Sequence, residues 1–491
     1  MRSAAFDLAS PLAPTFRGML LFGIALLGLG ACKDDAPARP NIVLVSIDSL
    51  RPDHLGCYGH PRATSPEIDR LAAEGVRFES AVSTSSWTLP AHAALFTGLY
   101  DSSHGLFDNG LRLSPDHRTL AEELRAAGYH TAGFFGGPYL HPTFGLGDGF
   151  DVYRSCMTTV PDDTDDDTLR AESRSAAGKS HEDITGPRTL DNVKAWTAEK
   201  PADKPYFLFV HLWDVHYDFI PPAPYDRMFD PDYKGELDGR DFMGSRAVHR
   251  GMARRDLEHL LALYDGEIRF TDEILKQLLG ALREKGLLEN TLVVLTADHG
   301  EEFFEHGSKG HQKTLYDEVV KIPLVMHWPG ALEAGRTVPD QVRIVDVMPT
   351  LLAAAGVREL PTMAGRDLLP LAKGKSLAPT AALLELHADK RDFRALRTRE
   401  LKVIRYGRAP DGKELPNVAH DLVRDPQERL AVQEGTNSAH DEAFARLDRT
   451  LESAEALRAY LGAKATAADI DPELERKLRE TGYLMGSKDE R

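Results

Sequence analysis

Three cysteines in 491 residues are too few, and too odd in number, to build a disulfide framework. Basic residues are also in deficit. Lys and Arg total 59 against 76 Asp and Glu, a formal net charge of -17. That balance argues against a nucleic-acid-binding face and would repel polyanionic ligands unless a metal or a local basic cluster offset it. No internal repeat is evident. What remains is ordinary for a soluble globular chain: 42% apolar and 27% charged residues, in a length suited to one large core with a smaller appended one.

One cysteine is accounted for by its position. Arg2 and Arg17 precede an apolar run from Gly18 to Leu29, followed by Leu29-Gly30-Ala31-Cys32. The run is too short to span a bilayer comfortably and has the shape of a signal-peptide core. A plain secretory signal or an uncleaved anchor fits that run too, but small residues directly before a cysteine resemble a bacterial lipobox. The expectation is therefore a signal peptide over 1–31, lipidation at Cys32 and a polar tether over 32–40. The chain would then sit on the bacterial cell envelope, anchored to the lipid bilayer and facing the periplasm or the exterior. Cys57 and Cys156 are the remaining two, and nothing in the sequence shows whether they pair.

Continuous apolar runs at Asn41–Ile47, Tyr206–Leu212, Thr291–Thr296 and Ile322–His327 read as strands buried on both faces. Helix-period segments lie between them at Ser65–Glu74, Pro90–Thr97, Thr119–Ala127 and Arg255–Lys285. Alternation of this kind predicts an α/β fold with a mostly parallel central sheet sandwiched by helices, its site at the carboxyl ends of the strands. This catalytic domain is expected over 41–374. Residues 156–187 break the pattern as an acidic, polar loop or lid, headed by Asp162 to Asp167, a run that calcium binding would also fit. Past Gly374 the texture shortens toward strands, with Ala381–Leu386, Ala395–Arg399 and Lys402–Tyr406, then a helical tail ending at Glu480–Leu484. A small C-terminal α+β domain over 375–491 follows from that.

Four segments put charged or nucleophilic groups where strands end or helices begin. Asp48 follows the first strand, in a position a turn former also takes. Thr88 opens a helix whose first turn tolerates Pro90, where free N–H groups and the helix dipole favour an anion; a simple cap is the competing reading. Asp298 and His299 follow an apolar strand, offering one oxygen and one imidazole to a single ion. Asp214 and His216 lie past another strand, with His311 further on in Gly310-His311. Singly each is weak; together they form a carboxylate and imidazole cluster on one sheet edge.

These blocks resemble the sulfatase family of the alkaline phosphatase superfamily. The residues that carry the likeness are Asn41–Gly59, Thr64–Asp69, Thr88–Gly98, Thr296–Glu301, Tyr316–Pro323, Asp346–Leu352 and Asp425–Glu428. The resemblance implies an alkaline phosphatase-like fold and a divalent metal held by Asp48, Asp298 and His299, with the nucleophile Thr88 as a further ligand. It also implies roles for His92, His216 and His311 in binding ester oxygens or protonating the leaving group. A second metal on Asp214, His216 and His311 is the alternative use of those residues.

The departures from the family pattern are informative. Sulfatases carry Cys or Ser at the Thr88 position, which is oxidised to formylglycine; the threonine methyl group blocks that conversion. Ser49 stands where a second Asp is usual, and His299 where Asn often is. Imidazole in place of carboxylate moves the preference from calcium toward zinc or manganese. The expectation is a metal-dependent hydrolase of a phosphate or phosphonate ester, acting on a small-molecule, glycan or lipid ester. A sulfuric ester hydrolase without formylglycine is the alternative on the same site, and an inactive surface binding protein the alternative of another class.

Overall fold

Residues 39–157, 183–388 and 390–474, other than 408–411, 413, 463 and 473, are described by the structure, a computed structural model. The expected signal peptide, Cys32, the Asp162–Asp167 run and the Glu480–Leu484 tail lie outside the described residues. Among the described residues no helix is long and apolar enough to cross a membrane.

Eight strands form the central sheet: β1 (Asn41–Ile47), β2 (Val76–Val82), β3 (His130–Phe135), β4 (Val152–Ser155), β5 (Tyr206–Leu212), β6 (Thr291–Ala297), β7 (Lys321–His327) and β8 (Arg336–Arg343). Their order is β8-β2-β7-β6-β1-β5-β3-β4. Only β7 runs antiparallel to its neighbours; every other pairing is parallel. The three central strands β5, β1 and β6 are buried almost throughout. Burial on both faces favours apolar side chains, hence the long apolar runs, interrupted near their ends by Ser46, His211 and Thr296. By contrast β2 and β8, toward one edge, mix apolar and charged residues. They gave no comparable signal.

The helices Pro66–Glu74, Leu120–Ala126 and Arg254–Glu284 fall within one residue of expectation at either end. Two boundaries differ. The helix carrying Thr88 begins at Thr88 itself and runs to Thr97, so Pro90 sits third in its first turn, where no N–H is missed. The loop expected over 156–187 stops short, because a helix starts at Gly186 with Pro187 in its first turn.

Beyond Gly374 lies a second, antiparallel sheet of β9 (Ala382–Ala388), β10 (Arg391–Arg397), β11 (Leu401–Tyr406), β12 (Val418–Asp421) and β13 (Val432–Gln433), paired in that order. The Ser438–Leu461 helix packs against β9, β10 and β11. A buried charge cluster ties this sheet to the segment leading into β7. Lys402 Nζ lies 2.6 Å from Asp317 Oδ1 and 2.7 Å from Glu428 Oε1, and donates to the Leu315 carbonyl at 3.0 Å. Arg397 closes on Asp317 with two parallel bonds of 2.8 and 2.7 Å. Burial alone would raise the Asp317 carboxyl, but Arg397 and Lys402 outweigh it and hold it far below the usual range.

His420 is buried close to this cluster and is held down to about 4, by burial first and by Lys402 second. Burial likewise holds His117 at about 4. Both are depressed relative to the unfolded chain, so the unfolded state takes up protons first as the pH falls. Their contribution to stability is present above about pH 6.5 and is lost as the pH falls through about 4. Denaturant titrations between pH 7 and pH 4 should therefore show stability falling with acid, less steeply in His420→Gln than in the parent. Identical slopes would contradict this.

Cys57 and Cys156 are both free thiols.

Candidate metal centre and active site

Parallel pairing decides where the acidic groups go. Ile47 at the end of β1 lies opposite Ala297 at the end of β6. The next residues, Asp48 and Asp298, therefore emerge side by side at the carboxyl edge of the sheet. His299 follows Asp298, and the ligand atoms of Asp48, Asp298 and His299 lie within 4.8 Å of one another. Ser49 takes a left-handed backbone conformation, φ 54°, rare and strained for a non-glycine residue. The turn lets its N–H donate to Asp298 Oδ1 at 3.2 Å and its hydroxyl to Asp48 Oδ1 at 2.9 Å. Gly300 has to be glycine, since a Cβ there would meet the Glu318 carbonyl oxygen at 2.1 Å. That close approach lets Gly300 and Glu301 donate their N–H groups to Val319 and Glu318.

Thr88 is the first residue of its helix, after Trp87 in an extended conformation. Its hydroxyl lies 3.3 Å from His299 Nε2. His299 Nδ1 lies 2.8 Å from the Gly300 carbonyl. A carbonyl only accepts, so Nδ1 carries the ring proton and Nε2 offers a lone pair to the Thr88 hydroxyl. The same logic applies to His216, whose Nδ1 is 2.6 Å from the Tyr217 carbonyl, with the ring stacked on Trp213. His311 lies 3.3 Å by Nδ1 from both Glu301 oxygens, and its ring centroid is 4.4 Å from that of His299 and 5.1 Å from that of His216.

Two expected site residues are placed differently. His92, one turn after Thr88, has both nitrogens engaged: Nδ1 with the Thr88 carbonyl at 3.0 Å and Nε2 with the Ser46 hydroxyl at 3.1 Å. Burial pushes it down to about 3, and its bond to the Thr88 carbonyl braces the first turn of the helix. Asp214 is spent on the helix that begins at Gly186. It accepts the Thr185 N–H at 2.7 Å and lies 3.2 Å from the Thr185 hydroxyl. Among the described residues, the expected second-metal set of Asp214, His216 and His311 is not one of the groups whose ligand atoms gather within 4.8 Å. Sequence reasoning left three neighbours without a role: His211 and Ser46, polar residues facing inward from otherwise apolar strands, and Lys313. Lys313 is half-buried near Glu301, with its ammonium 2.6 Å from the Lys309 carbonyl and its pKa lowered by desolvation. A polar residue inside an otherwise apolar strand was the signal that could have found the first two.

Asp48 Oδ2, Asp298 Oδ2 and His211 Nε2 are buried without hydrogen-bond partners. Asp48 and Asp298 are fully shut off from water, and burial raises the Asp48 carboxyl to about 6 in the absence of a cation. Unpartnered acceptors in so dry a place are costly unless a cation lies among them. Two carboxylates with imidazole and hydroxyl at hand are a donor set that fits a divalent ion.

The sulfatase family profile matches residues 40–357, and the profile described as N-sulphoglucosamine sulphohydrolase, C-terminal, matches 305–456. The chain belongs to the sulfatase family. An ulvan-active sulfatase of Formosa agariphila is 27% identical over 450 residues, covering 86% of this chain and 84% of the relative. A multifunctional alkaline phosphatase superfamily protein of Trinickia caryophylli is 29% identical over 422 residues, covering 72% and 81%. The solved phosphonate monoester hydrolase of Agrobacterium radiobacter superposes with a TM-score of 0.65 at 24% identity, covering 86% of this chain and 96% of that one. This sulfatase-family chain thus has the alkaline phosphatase-like architecture expected of it, a central mixed sheet and a smaller C-terminal antiparallel sheet, and is an ester hydrolase.

Proposed function

We propose that this sulfatase-family hydrolase cleaves a phosphate or phosphonate ester through unmodified Thr88. The observation that carries the reading is the Thr88 hydroxyl at the N-terminus of a buried helix, 3.3 Å from a lone pair of His299 and next to the two orphaned carboxylates. Asp48, Asp298, His299 and Thr88 would hold the metal, zinc or manganese in preference to calcium. That ion would lower the pKa of the hydroxyl and neutralise charge on a non-bridging ester oxygen. The N-terminal end of the same helix would favour the negative charge on those oxygens. Thr88 Oγ1 would pass its proton to a neighbouring imidazole and form a bond to phosphorus as the bond to the leaving oxygen breaks. His311, beside Glu301, and His216, whose Nδ1 bonds the Tyr217 carbonyl, would bind the ester oxygens or, once protonated at Nε2, give the leaving oxygen its proton. Water then cleaves the phosphothreonine and restores the hydroxyl.

Purified protein should hydrolyse aryl phosphodiester, phosphomonoester or phosphonate esters faster than the matched aryl sulfate. Preferential sulfate release would favour the alternative, a sulfuric ester hydrolase working without formylglycine. That alternative keeps support from the ulvan-active sulfatase relative. Chelation should abolish turnover, with zinc or manganese restoring it. Asp298→Asn, which leaves one carboxylate at the centre, should lower metal affinity at least 100-fold in a competition titration, and unchanged affinity would contradict the assignment.

The Leu29–Cys32 stretch supports anchoring at the cell envelope through a lipidated Cys32. Metabolic labelling with a fatty acid should mark the parent and not Cys32→Ser; equal labelling would refute the anchor.

A further inference from the structure

His211 interrupts the apolar run of β5, where it pairs in register with Ser46. Its Nδ1 is 2.8 Å from the Gly136 carbonyl. That carbonyl is held firmly, because a Cβ on Gly136 would meet Trp213 Cβ at 2.5 Å, so the tryptophan packs directly on the bare backbone. A carbonyl cannot donate, so the ring proton stays on Nδ1 and Nε2 presents a lone pair. Nε2 points to Asp48 Oδ2 at 3.5 Å, and neither atom has a hydrogen-bond partner.

Two acceptors facing one another in a fully buried site repel. Without a cation, a hydrogen bond between them would need either a proton held on the Asp48 carboxyl or a second ring proton, the latter making a buried imidazolium whose ring centroid lies 4.9 Å from that of His92. A shared cation resolves the conflict without that charge. His211 also reaches the second carboxylate, since its ligand atom, that of His92 and that of Asp298 lie within 4.8 Å of one another. The other polar neighbours cannot take its place. His92 has both nitrogens engaged, and Ser49 has turned its hydroxyl and its N–H to the two aspartates.

We infer that His211 Nε2 is a ligand of the divalent cation held by Asp48, Asp298 and His299. A ring oriented by a backbone carbonyl through Nδ1 is the usual arrangement of a metal-binding histidine. The inference rests on the metal-dependent reading above and adds a second imidazole to the donor set, further from what calcium takes and nearer to zinc.

The test is calorimetric titration of metal-stripped full-length protein with Zn²⁺, together with the visible absorption of the Co²⁺ form, in the parent and in His211→Gln. Loss of a direct ligand should weaken Zn²⁺ binding by at least the roughly 10–100-fold that outer partners cost and alter the Co²⁺ bands. The metal-free melting temperature should hold or rise, because an orphaned lone pair has been removed. X-ray absorption of the Zn²⁺-loaded parent gives a readout that does not depend on the variant folding, with two imidazoles expected. Equal affinity and unchanged Co²⁺ bands in His211→Gln, or a single imidazole in the parent, would overturn the inference alone. A parent that binds no divalent ion would overturn the metal-dependent reading as well.

Discussion

Thr88→Ala is expected to lower turnover by on the order of 10⁴–10⁶-fold, the loss seen when a nucleophile that works as part of a unit is removed. Metal affinity should fall far less, because Asp48, Asp298 and His299 stay in place. Stability should change by about 1 kcal/mol at most, since Thr88 is not the helix cap and its methyl group is small. Thr88→Ser keeps the hydroxyl at the same helix position and should retain activity within about a hundredfold. The contrast between the two variants separates chemistry from folding. If Thr88→Ala kept activity within tenfold of the parent, another group or water would be attacking the ester, and the threonine account would fail.

Lys402→Met is expected to cost about 3–5 kcal/mol of folding stability, the range for removing one partner from a buried ion pair. Lys402 is fully buried, and its ammonium serves Asp317, Glu428 and the Leu315 carbonyl together. Without it Asp317 keeps Arg397, but Glu428, whose carboxyl burial already raises, loses its only ion-pair partner among the described residues. Adding Glu428→Gln removes the stranded charge and should recover part of the loss, so a double-mutant cycle in denaturant isolates the pair. A cost below about 1 kcal/mol would mean that water or rearrangement replaces the lysine. The effect should reach the active site, because Asp317 begins four residues after Lys313 and anchors the segment that carries His311.

Asp48 and Asp298 could be found from sequence because each directly follows a strand buried on both faces, and strands of that kind announce themselves as apolar runs. Parallel order then leaves their carboxylates at one edge. Thr88 was legible for a similar reason, since Pro90 marks a first helical turn. His92 and Asp214 have tertiary partners that the sequence does not show. Nothing in the chain near His92 says that Ser46, far upstream, faces it, and nothing near Asp214 reveals a helix opening at Gly186 behind an acidic stretch. His211 was visible as an anomaly in an apolar strand, but its meaning depends on Gly136 and Asp48, both distant in sequence. Four strands escaped: β2 and β8, toward one edge, mix charged with apolar residues; β4 has only four residues; and β3, though buried, opens with His130-Thr131-Ala132-Gly133 and lacks a long apolar run.

The most direct test of the central claim is mass spectrometry of the Thr88 peptide from protein quenched in acid during turnover of its preferred phosphoester. The account predicts one phosphoryl group on Thr88, transient in the parent, and no modified peptide from Thr88→Ala. Steady turnover with an unmodified Thr88 peptide at every quench time, under conditions where hydrolysis of the intermediate is slowed, would contradict it.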